Sequence, residues 1–94
     1  MNVRRLMLDV DWAASGPGIA ALAEAISEVQ GVQAVNVTIT EIDVETVGSD
    51  VAVEGENIDV GQLTGAITDA GAVVHSIDQL AAGDHIVDYV PRAR

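Results

Sequence analysis

Near the amino terminus the apolar residues recur with period two. In the segment V-R-R-L-M-L-D-V, residues 3–10, Leu6, Leu8 and Val10 share one parity while Arg5, Met7 and Asp9 share the other. Successive side chains of an extended chain point to opposite sides, so this alternation predicts a first strand, with Val3 and Met7 on the side turned away from the core. Residues 11–18 then carry Ser, Gly and Pro and read as a loop. Ser15 is placed to cap the following helix and Pro17 to occupy its first turn. From Ile19 the period changes to 3.6, with Ile19, Leu22, Ala23, Ile26 and Val29 on one face, which predicts a helix over 17–30 closed by Gly31.

The run A-V-N-V-T-I-T-E-I-D-V-E-T, residues 34–46, is a second strand whose alternation slips. Val35, Val37 and Ile39 share one parity and Ile42 and Val44 the other, so an irregularity is expected at Thr40 and Glu41. Val47, Gly48 and Ser49 read as a turn, and Val51, Val53 and Gly55 as the returning strand of a hairpin. A second helical pattern follows Glu56, Asn57 and Asp59, with Ile58, Leu63, Ile67 and Ala70 apolar and Gly71 closing it, although Gly61 and Gly65 weaken its helical preference. Residues 72–77 form a last strand.

This order, β-α-β-β-α-β, is the split βαβ arrangement. It predicts an α+β, ferredoxin-like sandwich, a four-stranded antiparallel sheet with two helices on one face. Residues 1–84 make one such domain. Residues 85–94 form either a C-terminal arm or an extra edge strand, because H-I-V-D-Y-V alternates but has no place among four strands. Helices on only one face leave the other face and the sheet edges open, so a homo-oligomer is expected, with the tail available to bridge subunits.

Composition narrows the chemistry. Hydrophobic residues make up 49% of the 94 positions but aromatics only 2%, so the core must be built from Val, Ile, Leu and Ala. There is no cysteine, which removes disulfides, thiolate metal sites, iron–sulfur clusters and a cysteine nucleophile together. Fifteen Asp and Glu against four Arg, with no Lys, give a formal charge of −11. Such a surface repels phosphate backbones and anionic membranes, excluding nucleic acid and membrane surfaces as partners. The balance resembles that of proteins from extremely halophilic archaea, in whose cytoplasm molar salt reduces the Debye length to about 3 Å. Without a signal-peptide core or an apolar run long enough to span a bilayer, a cytoplasmic location is expected.

Four segments can be read together: V-R-R-L-M-L-D-V, G-V-Q-A-V-N-V-T-I-T-E-I-D-V-E-T, V-E-G-E-N-I-D and H-S-I-D-Q-L-A-A-G. Together they resemble archaeal domain of unknown function family 211, a group of small ferredoxin-like proteins. The resemblance runs from Val3 to about Val87. It implies the fold and self-assembly and brings no established activity. The first loop, D-W-A-A-S-G-P-G, is richer in Gly and Ala than the family pattern. The heavy-metal chaperone chemistry found on some ferredoxin-like folds is excluded, since it needs soft thiolates on that loop.

Few polar residues qualify as functional candidates. Glu41, Asp43 and Glu45 project from one side of the second strand, and the hairpin brings Asp50 near them. Paired carboxylates such as Glu41 and Asp43 suit a hard cation, Ca²⁺ or Mg²⁺, although in so acidic a chain they also fit a solvated face. His75, in H-S-I-D, lies on the last strand, beside the first strand, and so within reach of Asp9, with Asp78 close by. It reads either as a hydrogen-bonded structural residue or as a base. Trp12, the sole tryptophan, is a core plug or a subunit contact. No G-x-S-x-G, Walker loop or H-E-x-x-H occurs. The expected function is a non-catalytic, homo-oligomeric binding or regulatory module for a small polar ligand or divalent cation. The alternative is a small enzyme or enzyme subunit using His75 with Asp9 or Asp78.

Overall fold

The computed structural model describes residues 1–93 and has the expected order: β1 (Val3–Ala13), α1 (Ile19–Ser27), β2 (Val32–Ile42), β3 (Thr46–Gly55), α2 (Val60–Asp69) and β4 (Val73–Ala82). The sheet order is β2-β3-β1-β4 and every neighbouring pair is antiparallel. Both helices cover one face of this four-stranded sheet, so the chain is a ferredoxin-like α+β sandwich. Its extents of 40 × 37 × 17 Å describe a slab. No helix among the described residues is long and apolar enough to cross a membrane.

The core is aliphatic, as the composition requires. Leu6, Leu8 and Val10 of β1 and Val51 and Val53 of β3 meet Leu22 and Ile26 of α1 and Leu63 and Ile67 of α2, all essentially inaccessible. Trp12 is buried among them, so it is a core plug and β1 runs past Val10 to Ala13. Val3 also joins the core, against the parity of Met7. The reason is a register shift between Val3 and Arg5 that leaves Arg4 out of the ladder and turns the strand by one residue.

The turns correct the sequence reading in two places. The β2–β3 connection is made by residues 43–45, and Val47, Gly48 and Ser49 lie within β3. The Asp43 carboxylate closes that turn by accepting the Glu45 N–H at 2.8 Å, the Thr46 N–H at 2.9 Å and the Thr46 hydroxyl at 3.2 Å. Ser49 is fully buried, its hydroxyl donating to the Val10 carbonyl at 2.7 Å. Helix α1 begins at Ile19, after Gly18 rather than Ser15, and no side chain caps it. Helix α2 is capped by Asp59, whose carboxylate accepts the Gln62 N–H.

At the opposite end of the sheet two glycines interlock. Gly31, at φ 93°, accepts the Glu56 N–H at 3.0 Å, and a Cβ on Gly55 would overlap the Gly31 carbonyl. Only glycine at both positions allows β3 to pass this close to the start of β2.

Candidate functional site

The face of the sheet opposite the helices has no helix over it, only the tail touching it where Asp88 meets Arg5, and the ladder of this bare face arranges the side chains in rows. Cα partners in antiparallel strands project to the same side, so a row can be read across all four strands from the register. One row is Ala34, Glu54, Arg5 and Ala81, and the next is Asn36, Ala52, Met7 and Gln79. The third is Thr38, Asp50, Asp9 and Ser76. The fourth is Glu41, Gly48, Asp11 and Val73. The face is thus divided: neutral and apolar positions with the Arg5 ion pairs at one end, carboxylates at the other.

The candidate residues fall on this face or at its rim. A register shift between Ile39 and Glu41 sets Glu41 opposite Gly48, so the expected irregularity lies at Thr40 and aims Glu41 onto the bare side. Gly48 separates Glu41 from Asp11: a Cβ there would lie 3.4 Å from Asp11 Oδ1 and 3.5 Å from the Glu41 Cβ. Asp43 is not in the strand, and its carboxylate is engaged in its own turn. The Glu45 and Thr46 N–H groups, in that order, hold its pKa below the ordinary value near 3.8. Glu41 and Asp43 therefore do not form the pair that strand alternation suggests.

His75 and Asp78 are the two residues that β4 leaves out of its ladder with β1, since the register shifts between Val74 and Ser76 and again between Ile77 and Gln79. Bulges re-aim side chains. His75 Nδ1 lies 3.9 Å from Asp11 Oδ2, so its neighbour is Asp11 and not Asp9, and its imidazole is largely exposed. Asp78 accepts the Ser76 hydroxyl at 2.8 Å. Asp9 stands between Asp50 and Ser76. Among the described residues, no three His, Asp or Glu side chains gather in a way that would hold a metal ion.

Features of this face that sequence reasoning missed lie at its neutral end. Arg5 donates to Glu54 at 3.0 Å and to Asp88 at 3.2 Å, which pins the tail to β1. The pairing with Asp88, and then with Glu54, raises its pKa and keeps the guanidinium charged. Arg4 donates to the Gly83 carbonyl and to Glu56 at 3.3 Å. Residues 84–93 pair with no strand. Beside Met7, Gln79 has a buried Oε1 with no hydrogen-bond partner. Next to Glu54 is a shallow cavity of about 260 Å³ lined by Ala34, Val35, Asn36, Ala52 and Glu54. A residue-pair signal did exist for the tail, because Asp88 is the acid inside its alternating run, but nothing in the sequence says which arginine it meets.

Comparison with known proteins adds a family to this geometry. The model of the DUF211 family, described as uncharacterized ArCR, matches residues 4–94. The chain belongs to this family. It is also similar to the uncharacterized protein MJ0319 of Methanocaldococcus jannaschii, 34% identical over 89 residues, which cover 95% of this chain and 91% of that protein. The resemblance read from E-I-D-V-E-T and H-S-I-D thus leads to the right family, one that is archaeal and carries no assigned activity.

Proposed function

We propose that this DUF211 chain is a non-catalytic, self-associating binding module whose bare sheet face is the contact surface, with its acidic end open to a hard divalent cation or small polar ligand shared between copies. One observation carries the reading. A face spanning all four strands has no helix over it and is split into a neutral end and a carboxylate end. At about 4.8 Å between strands and 3.3 Å per residue, four strands of about ten residues make roughly 600 Å² of flat sheet, which projecting side chains bring near the roughly 800 Å² per partner that a stable interface uses. The carboxylates of Asp9, Asp11, Glu41 and Asp50 supply oxygen ligands, the type that Ca²⁺ and Mg²⁺ take, and a single copy brings too few of them together to enclose an ion.

The enzymatic alternative has less support. His75 is exposed and 3.9 Å from Asp11, beyond hydrogen-bond distance, and Asp78 is engaged with Ser76. The test is light scattering of the purified chain in molar KCl, with and without about 10 mM Ca²⁺ or Mg²⁺, roughly tenfold above the Kd of about 1 mM of a weak oxygen-ligand site. Species above 9.7 kDa support self-association, and growth or tightening with the cation supports the shared site. A single 9.7 kDa species under all conditions refutes the proposal.

A further inference from the structure

We propose that the C-terminal tail is a docking arm: Tyr89 and Val90 of one copy seat in the cavity between β2 and β3 on the bare face of a second copy, and Arg92 reaches that copy's acidic rows. The inference rests on the self-association reading above and names the contact that would make it.

Three observations converge. First, the tail displays apolar side chains that its own body does not cover: Val87, Tyr89 and Val90 are about three-quarters exposed, and Tyr89 is the only tyrosine in the chain. Exposed apolar groups this closely spaced mark contact sites, and a tyrosine offers a large rigid surface with a polar tip. Second, the shallow cavity lined by Ala34, Val35, Asn36, Ala52 and Glu54 has about 260 Å³ of space, enough to admit one side chain, and its lining includes two alanines that leave room and the polar Asn36 and Glu54 that can meet a phenol. The chain's own tail does not fill it, because Asp88 is tied to Arg5 and Tyr89 beyond it stays in solvent.

Third, the charges match. Arg4 and Arg5 are already paired with Glu56, Glu54 and Asp88, whereas Arg92 makes no ion pair among the described residues. In a chain of charge −11, the basic end of the arm has its complement on the bare face. The spacing agrees. An extended arm covers about 10 Å from Tyr89 to Arg92, at roughly 3.3 to 3.6 Å per residue. The cavity occupies the Ala34 and Asn36 rows, and the Thr38–Asp50–Asp9 row lies one further pair of residues along the strands, about 7 Å away. A tyrosine in the cavity therefore carries the arginine to Asp50 and Asp9.

Because the chain has no cysteine, disulfide trapping reports this contact directly. Full-length Tyr89→Cys is mixed with full-length Asn36→Cys in molar KCl and oxidised, and the same Tyr89→Cys is mixed with Ala21→Cys, which places the thiol on the exposed side of α1, as a control. The expected result is a covalent heterodimer with Asn36→Cys in at least tenfold excess over the control pair, with Arg92→Glu in the arm reducing its yield several-fold. If light scattering shows an assembly but Tyr89→Cys cross-links no better to Asn36→Cys than to Ala21→Cys, the arm is refuted while self-association stands. A Tyr89→Cys, Asn36→Cys double variant that closes only within one chain also refutes it, assigning the tail to its own body. A chain that remains monomeric at all concentrations overturns both this proposal and the reading beneath it.

Discussion

Replacing Asp50 by Asn should raise the melting temperature, and the gain should shrink in high salt. Asp9 and Asp50 are direct Cα partners on the bare face, at the centre of the sheet where β1 meets β3. Opposed residues of an antiparallel pair have Cβ atoms about 5 Å apart, and like charges so placed are destabilising. Two unit charges at about 5 Å in water repel by about 0.8 kcal/mol. Multiplying by the Debye factor, with lengths of about 10 Å at 0.1 M and 3 Å at 1 M, leaves about 0.5 kcal/mol in dilute buffer and about 0.2 kcal/mol in molar salt. For a domain of this size 1 kcal/mol moves the midpoint by about 4 to 8 °C, so the variant should gain about 2 to 4 °C at 0.1 M KCl and about 1 °C at 1 M.

The assay is thermal unfolding followed by far-UV circular dichroism at both salt concentrations. Asp84→Asn in the tail is the control, because it removes the same charge from an exposed position that has no partner strand, and its gain should be smaller at 0.1 M. An Asp50→Asn gain that is equal at the two salt concentrations, or no larger than that of Asp84→Asn, would refute the row arrangement as the source of the strain. The wild type itself should melt at higher temperature in molar KCl, as expected for a body of charge −11.

Three further outcomes are expected. Gly55→Ala should cost at least about 3 kcal/mol and lower the midpoint by roughly 12 °C or more, because the new Cβ meets the Gly31 carbonyl, which is backbone and has little room to yield; guanidinium unfolding measures it. Gln79→Met should stabilise by about 1 kcal/mol by removing a buried oxygen that has no partner, read from the same unfolding curves. Asp43 has a depressed pKa in the folded chain, so its contribution is present above its ordinary value near 3.8 and is lost as pH falls through the lower folded value. Asp43→Asn should therefore flatten the acid limb of the stability profile below about pH 4 and leave its slope at neutral pH unchanged.

Much of the fold was legible because the core alternation is local. Leu6, Leu8 and Val10 announce β1 without reference to anything else, and Leu22 with Ile26 announces α1. The errors arise where a distant partner decides. Gly48 and Ser49 have turn composition but are held in β3, Gly48 between Asp11 and Glu41 and Ser49 by its bond to the Val10 carbonyl. Strand β4 runs to Ala82 rather than 77 because two bulges hide its alternation. Of the site, the strand parity of Asp9 agrees with the row it occupies, but the neighbour of His75 was not legible. Its bulge shifts the register so that Asp9 meets Ser76, leaving Asp11 to the imidazole.

The same bulges bear on how the sheet edges are used. An unpaired edge invites another strand, and interruptions of the ladder are among the devices that discourage it. In β4 the irregular positions are His75 and Asp78, one titratable and one anionic, so this edge is both bent and charged. At the other edge, β2 carries no charge from Val32 to Thr40, yet its register also breaks, at Gln33 and at Thr40. Neither edge presents a long regular template. An assembly of this chain is therefore better served by its broad face than by extending the sheet, and there the acidic rows would repel an identical surface laid directly upon them. A contact that brings a basic segment to those rows avoids this repulsion. The only arginines outside β1 are those that follow Pro91 in the tail.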